Sequence, residues 1–163
     1  KYGHHRRPEQ SFASGIPPMT PWIILALLFL LLSPLVWLRP SARQNARMNL
    51  RLEARRMGLA MHLARQDWPH WMPGPPPSPC PQYSRARRSG HADAWCYWQP
   101  EAGRWVSQWG EPCTDETLAQ HLASLPADVY KIEADRQMIA LYWGERGDAE
   151  TLRRIAALLD ALA

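Results

Sequence analysis

Three cysteines and six histidines hold most of the reactive chemistry this chain could offer. Cys80, His91, Cys96 and Cys113 are the candidate metal ligands. Structural zinc sites draw their ligands in close pairs such as Cys-x-x-Cys, because two donors on one turn preorganise the ion. No such pair occurs here, so no metal site is expected. A thiol nucleophile needs a base within hydrogen-bonding reach. The nearest pairing sets His121 eight residues after Cys113, with no third group to orient it. No glycine-rich phosphate loop is present. Glu111, Asp115 and Glu116, with their counterparts further on, have the positions of first-turn helix charges. The chain is therefore expected not to be an enzyme and to need no cofactor and no small-molecule ligand. An odd cysteine count without paired spacing also points away from a disulfide framework.

Chemistry of association is better represented. Trp68, Trp71, Trp95, Trp98, Trp105, Trp109 and Trp143 all lie in the second part of the chain. A small domain needs such large anchors for its core. Two helices cannot cover both faces of a sheet, however, so Trp95, Tyr97, Trp105 and Trp109 are the expected partner surface. Arg43, Arg47, Arg51 and Arg55 step by four and form a cationic stripe suited to lipid headgroups or a protein partner. No aromatic residues that could stack on bases interleave with them, so no nucleic acid is expected.

The elements that would position these residues follow from periodicity. Residues 91–163 contain a repeat at an offset of 34: Trp109-Gly110-Glu111 against Trp143-Gly144-Glu145, and Glu116-Thr117-Leu118 against Glu150-Thr151-Leu152. Thr114 and Asp148 fall at matching N-cap places. In each copy two short alternating aromatic runs flank a turn and precede an amphipathic helix. The first copy gives strands at 94–99 and 104–109 and a helix at 115–124. The second gives strands at 129–134 and 137–143 and a helix at 149–162. The expected product is a duplicated ββαββα domain with a four-stranded antiparallel sheet.

Upstream, residues 69–90 hold seven prolines and read as a stiff linker. Residues 41–68 carry an apolar seam at helical spacing and read as a basic amphipathic helix. Gly58 weakens that helix, and a break there would leave Leu59–Leu63 as a strand. Residues 22–38 contain no charge at all, and 19–40 read as a transmembrane helix with Trp22, Trp37 and Arg39 as its interfacial anchors. Residues 1–18 are polar and aperiodic, a disordered extension upstream of Met19. Charge changes sign along the chain. Residues 1–90 carry 13 Lys and Arg against 3 Asp and Glu, and residues 91–163 carry 6 against 12. With six arginines just after the apolar run, the positive-inside rule places the N-terminus outside and the C-terminal domain in the cytoplasm.

The segment WLRPSARQNARMNLRLEARRMG, with Arg39-Pro40, the arginines that follow and Gly58, resembles the YajC family, small single-span accessory subunits of the bacterial Sec translocon. The resemblance implies a bacterial inner-membrane protein that works in protein transport. Overall the fold class expected is α+β: one membrane helix, a long juxtamembrane helix and the duplicated domain. The expected function is a single-pass accessory or scaffold protein that contacts membrane lipids and presents a cytoplasmic interaction domain to a membrane-protein complex. The alternative is a tethered small enzyme or ligand-sensing domain.

Overall fold

A computed structural model describes residues 20–37 and 41–163, which fall into two units divided after Ser41. The extension expected at 1–18 lies outside the described residues, as do Arg39 and the side chain of Trp37.

The first unit contains helix α1, Thr20–Trp37, with Trp22 and Phe29 exposed. Its 18 described residues span roughly 27 Å at 1.5 Å each. No helix among the described residues is long and apolar enough to cross a membrane. This corrects the transmembrane helix expected at 19–40, and with it the single-pass inner-membrane placement.

The second unit, Ala42–Ala163, holds helix α2 (Ala42–Arg56), strands β1 (Ala60–Ala64), β2 (Cys80–Ala86), β3 (Trp95–Glu101) and β4 (Arg104–Val106), helix α3 (Glu116–Ala123), strands β5 (Val129–Ala134) and β6 (Met138–Trp143), and helix α4 (Ala149–Leu162). The six strands form one sheet in the order β1-β2-β6-β5-β3-β4, every neighbouring pair antiparallel. The sheet expected had four strands. The two extra ones come from the supposed juxtamembrane helix and the supposed linker.

Each departure has a local cause. The long helix stops at Arg56 because Gly58 adopts φ +79°, a left-handed conformation that only glycine takes without strain. The Gly58 amide bonds the Arg55 carbonyl and the Leu59 amide bonds that of Ala54, which makes a Schellman end. Leu59 then buries completely and the chain continues extended as β1. In β2, Pro81 pairs with Leu63 of β1, while the ladder to β6 begins only at Gln82. A proline is tolerated there because its missing N–H lies beyond the two-sided part of the strand.

The repeated unit supplies β3-β4-α3 and β5-β6-α4. Asp148 caps α4, accepting from the Thr151 amide at 2.8 Å. At α3 the cap is Asp115, accepting from Leu118 at 3.0 Å, one residue later than the Thr114 expected from the offset. The β5–β6 hairpin is closed by the Asp135 carboxylate, which accepts from the amides of Gln137 and Met138, both at 2.7 Å.

All three helices of this unit share one core with the sheet. Leu50 and Ala54 of α2, Leu118 and Leu122 of α3, and Leu152, Ile155 and Leu159 of α4 meet Tyr83, Ile132, Leu141 and Trp143. Alternate residues of the strands point the other way, where Cys80, Ala140 and Tyr142 form a smaller cluster. No helix of this unit contributes to that cluster. The β1–β2 connection crosses this face instead: Trp68 lies 5.5 Å from the Tyr130 ring and Trp71 stands edge-on to Trp98 at 6.3 Å.

Candidate functional site

The sheet face opposite this unit's helices carries an unusual set of polar groups. The register puts Cys96 opposite Glu133 and Trp98 opposite Lys131, and Lys131 opposite Tyr142 on the other side. Lys131 is buried, and its Nζ sits 2.6 Å from Glu133 Oε2 and 3.2 Å from Gln66 Oε1. The Tyr142 hydroxyl donates to Glu133 Oε1 at 2.5 Å. The ammonium lies over the rings of Tyr142 (4.9 Å) and Trp98 (5.4 Å), an arrangement in which two aromatic faces and one carboxylate offset its loss of water.

These groups are held rather than reactive. Burial pushes the Cys96 thiol up to about 12 and the Cys80 thiol up to about 11. A nucleophilic cysteine needs the opposite shift, toward the thiolate. Burial also raises the hydroxyl of Tyr142 well above its ordinary range, with the Glu133 contact adding to it. His, Cys, Asp and Glu form no cluster fit for a metal among the described residues. A consequence follows for alkaline pH. The folded state keeps both thiols protonated after the unfolded state has begun to ionise them, near pH 9. The stability these thiols contribute is therefore whole below about pH 9 and falls as pH rises from there toward 12. Thermal unfolding across that window should show the decline, and Cys96→Ala should flatten it.

Beside this network opens a groove of about 570 Å³, lined by Trp95, Cys96, Trp98, Trp109, Met138 and Asp135 among others. Trp109 is 78% exposed. It sits third in a turn from Ser107 to Gly110, closed by the Gly110 amide on the Ser107 carbonyl at 2.9 Å. Gly110 adopts φ +80°. The Trp109 amide donates to Ser107 Oγ at 3.2 Å, and the Trp71 indole donates to the Gln108 carbonyl at 3.0 Å. A large apolar side chain thus stands in water on a backbone that is fixed from both sides. The Trp98 indole N–H, at the groove floor, is buried and has no hydrogen-bond partner among the described residues.

The four aromatic residues singled out from sequence do not act together. Trp109 is exposed, Trp95 and Tyr97 are half-buried against the core, and Trp105 is 6% exposed inside it. Trp98 and Met138, which complete the groove, carried no sequence signal beyond their alternation in β3 and β6.

The arginine stripe is also divided. Arg43 and Arg55 are exposed. Arg47 is half-buried, and its Nε has no partner among the described residues. Arg51 turns inward: its Nε and Nη2 each lie 2.8 Å from the two carboxylate oxygens of Glu145. The Tyr83 hydroxyl donates to the same carboxylate at 2.6 Å, and the Glu145 side chain is 1% exposed. Arg51 is held further toward its charged form by that carboxylate. Its role is a tie between α2 and the β6–α4 loop, a contact helical spacing could not reveal because the partner is 94 residues away.

No family model, no curated protein and no solved structure matches this chain.

Proposed function

We propose that the domain of residues 42–163 is a protein-interaction module, and that the groove beside Trp109 is where it takes a segment of its partner. The observation that carries this is the fully presented indole on an anchored turn. Rigid, exposed tryptophans next to a pocket are the side chains that dominate binding energy at interfaces, because little entropy is lost when they are covered. Met138 and the half-buried Trp95 extend the apolar surface around it. The exposed carboxylate of Asp135 at the rim and the face of Trp109 both favour a cation. The partner segment is therefore one that sets an apolar side chain beside a Lys or Arg. Glu133 adds little to that attraction, since Lys131 already neutralises it.

The full chain titrated with twelve-residue peptides tests this. Peptides alternating apolar residues with Lys or Arg should bind, and matched peptides carrying Asp or Glu should bind far more weakly. Trp109→Ala should weaken binding at least tenfold, about 1.4 kcal/mol, while the thermal midpoint stays unchanged. Equal binding of acidic peptides, or an unaffected Trp109→Ala variant, would overturn the reading.

A further inference from the structure

Three helices lie on a six-stranded sheet and do not tile it. α2 lies against β1, α4 against β2 and β6, and α3 against β4. Between α3 and α4, near the start of β5, a cleft of about 840 Å³ is left open. That size falls within the roughly 300–1,000 Å³ of sites for small organic molecules.

The cleft has two chemistries. Its floor is apolar, made by Leu125, Ile155 and Leu158. Ala127, Ala157 and Ala161, all small, also line the cleft. Its mouth is charged, with two arginines and the carboxylate of Asp128. Arg146 and Arg154 are both exposed there, with His121 on the facing helix. Neighbouring Arg153 is taken up by Glu150 at 2.7 Å, whereas Arg146 and Arg154 make no ion pair among the described residues. Two carboxylates stand nearby as well: Asp148 caps α4 and interacts with Arg154, and Asp128, which lines the cleft, accepts from the Arg146 amide at 2.8 Å. That bond fixes the backbone from which Arg146 projects. Gly147 lets Thr151 pack close beside it, since a Cβ there would meet Thr151 at 2.7 Å.

We propose that this cleft binds a free single-chain carboxylic acid, with the hydrocarbon tail along Leu125, Ile155 and Leu158 and the carboxylate between Arg146 and Arg154. An amphipathic helix, about 10–12 Å across with its side chains, is the poorer occupant of a cleft of small-molecule size. The site is independent of Trp109, which lines the other groove.

Methyl NMR of the full chain, titrated below micelle formation with octanoate, decanoate and dodecanoate, decides it. The Ile155 and Leu158 methyl signals should shift, and each two added methylenes should tighten binding roughly tenfold. Dodecylammonium should bind at least tenfold more weakly than dodecanoate. Arg146→Gln with Arg154→Gln should weaken dodecanoate at least tenfold, and Ala161→Trp or Ala157→Phe should block the shifts while the rest of the methyl spectrum stays in place. Phosphatidylglycerol vesicles free of fatty acid should leave both methyls unmoved. Equal binding of the ammonium, no effect of the arginine pair, or shifts produced by the vesicles would overturn the proposal.

Discussion

Arg51→Ala should lower the unfolding free energy by about 3 kcal/mol, read from the urea midpoint at unchanged slope. The cost is not that of losing a surface ion pair, which would be well under 1 kcal/mol. It is that of leaving the Glu145 carboxylate, 1% exposed, without its cation in the interior. The Tyr83 hydroxyl still donates to that carboxylate at 2.6 Å, which keeps the loss from being larger. Glu145 also sits at φ +56°, a conformation side chains seldom adopt. Glu145→Gly would remove the carboxylate and that strain together, so it should cost less than Arg51→Ala. Combining the two should be clearly less harmful than their sum, because the second change removes the buried charge that the first exposes. Fully additive losses would mean that Arg51 acts through packing alone.

This ion pair shows where the fold was legible in the sequence and where it was not. The hairpins and helices of residues 94–163 follow from alternation, turn residues and caps, all of which act over a few positions. Asp148 and Asp135 do locally what their residue type suggests. The spacing of Arg43, Arg47, Arg51 and Arg55 correctly implies a helix through that stretch, yet it is silent on which of them faces inward, since Glu145 is remote in sequence. The strand β2 was hidden because Pro79 and Pro81 bracket its start and two arginines follow. Its identity comes from pairing with β6 on one side and β1 on the other, a tertiary fact that overrides local composition. The cleft between α3 and α4 arises where two distant helices meet the start of β5, so it had no sequence signature of its own. The apolar run at 22–38 shows the converse. Its composition is that of a membrane span, yet no helix among the described residues is long and apolar enough to cross one.

Trp143→Ala should cost 3–5 kcal/mol, the range for emptying a fully packed aromatic site, whereas Trp109→Ala should leave stability within about 0.5 kcal/mol. The two residues occupy the same place in the repeat, each followed by Gly and Glu, so the contrast isolates environment from sequence. Trp143 is 0% exposed and its ring packs 5.7 Å from that of Tyr83, in the core shared by all three helices. Its Glu145 is buried with Arg51, and its Gly144 leaves room for the Tyr130 hydroxyl, which a Cβ would approach to 2.7 Å. Trp109 and Glu111 are both exposed, and a Cβ at Gly110 would meet nothing within 4 Å. The Trp143 indole N–H has no partner among the described residues. Trp143→Phe removes that unsatisfied donor while keeping most of the ring, so it should cost far less than Trp143→Ala. One copy of the Trp-Gly-Glu segment has thus become the keystone of the core. The other lies past the end of β4 in the exposed turn Ser107–Gly110, where we propose it meets a partner. Equal destabilisation by Trp109→Ala and Trp143→Ala would show that both copies serve the core, and would remove the physical basis for assigning Trp109 to binding.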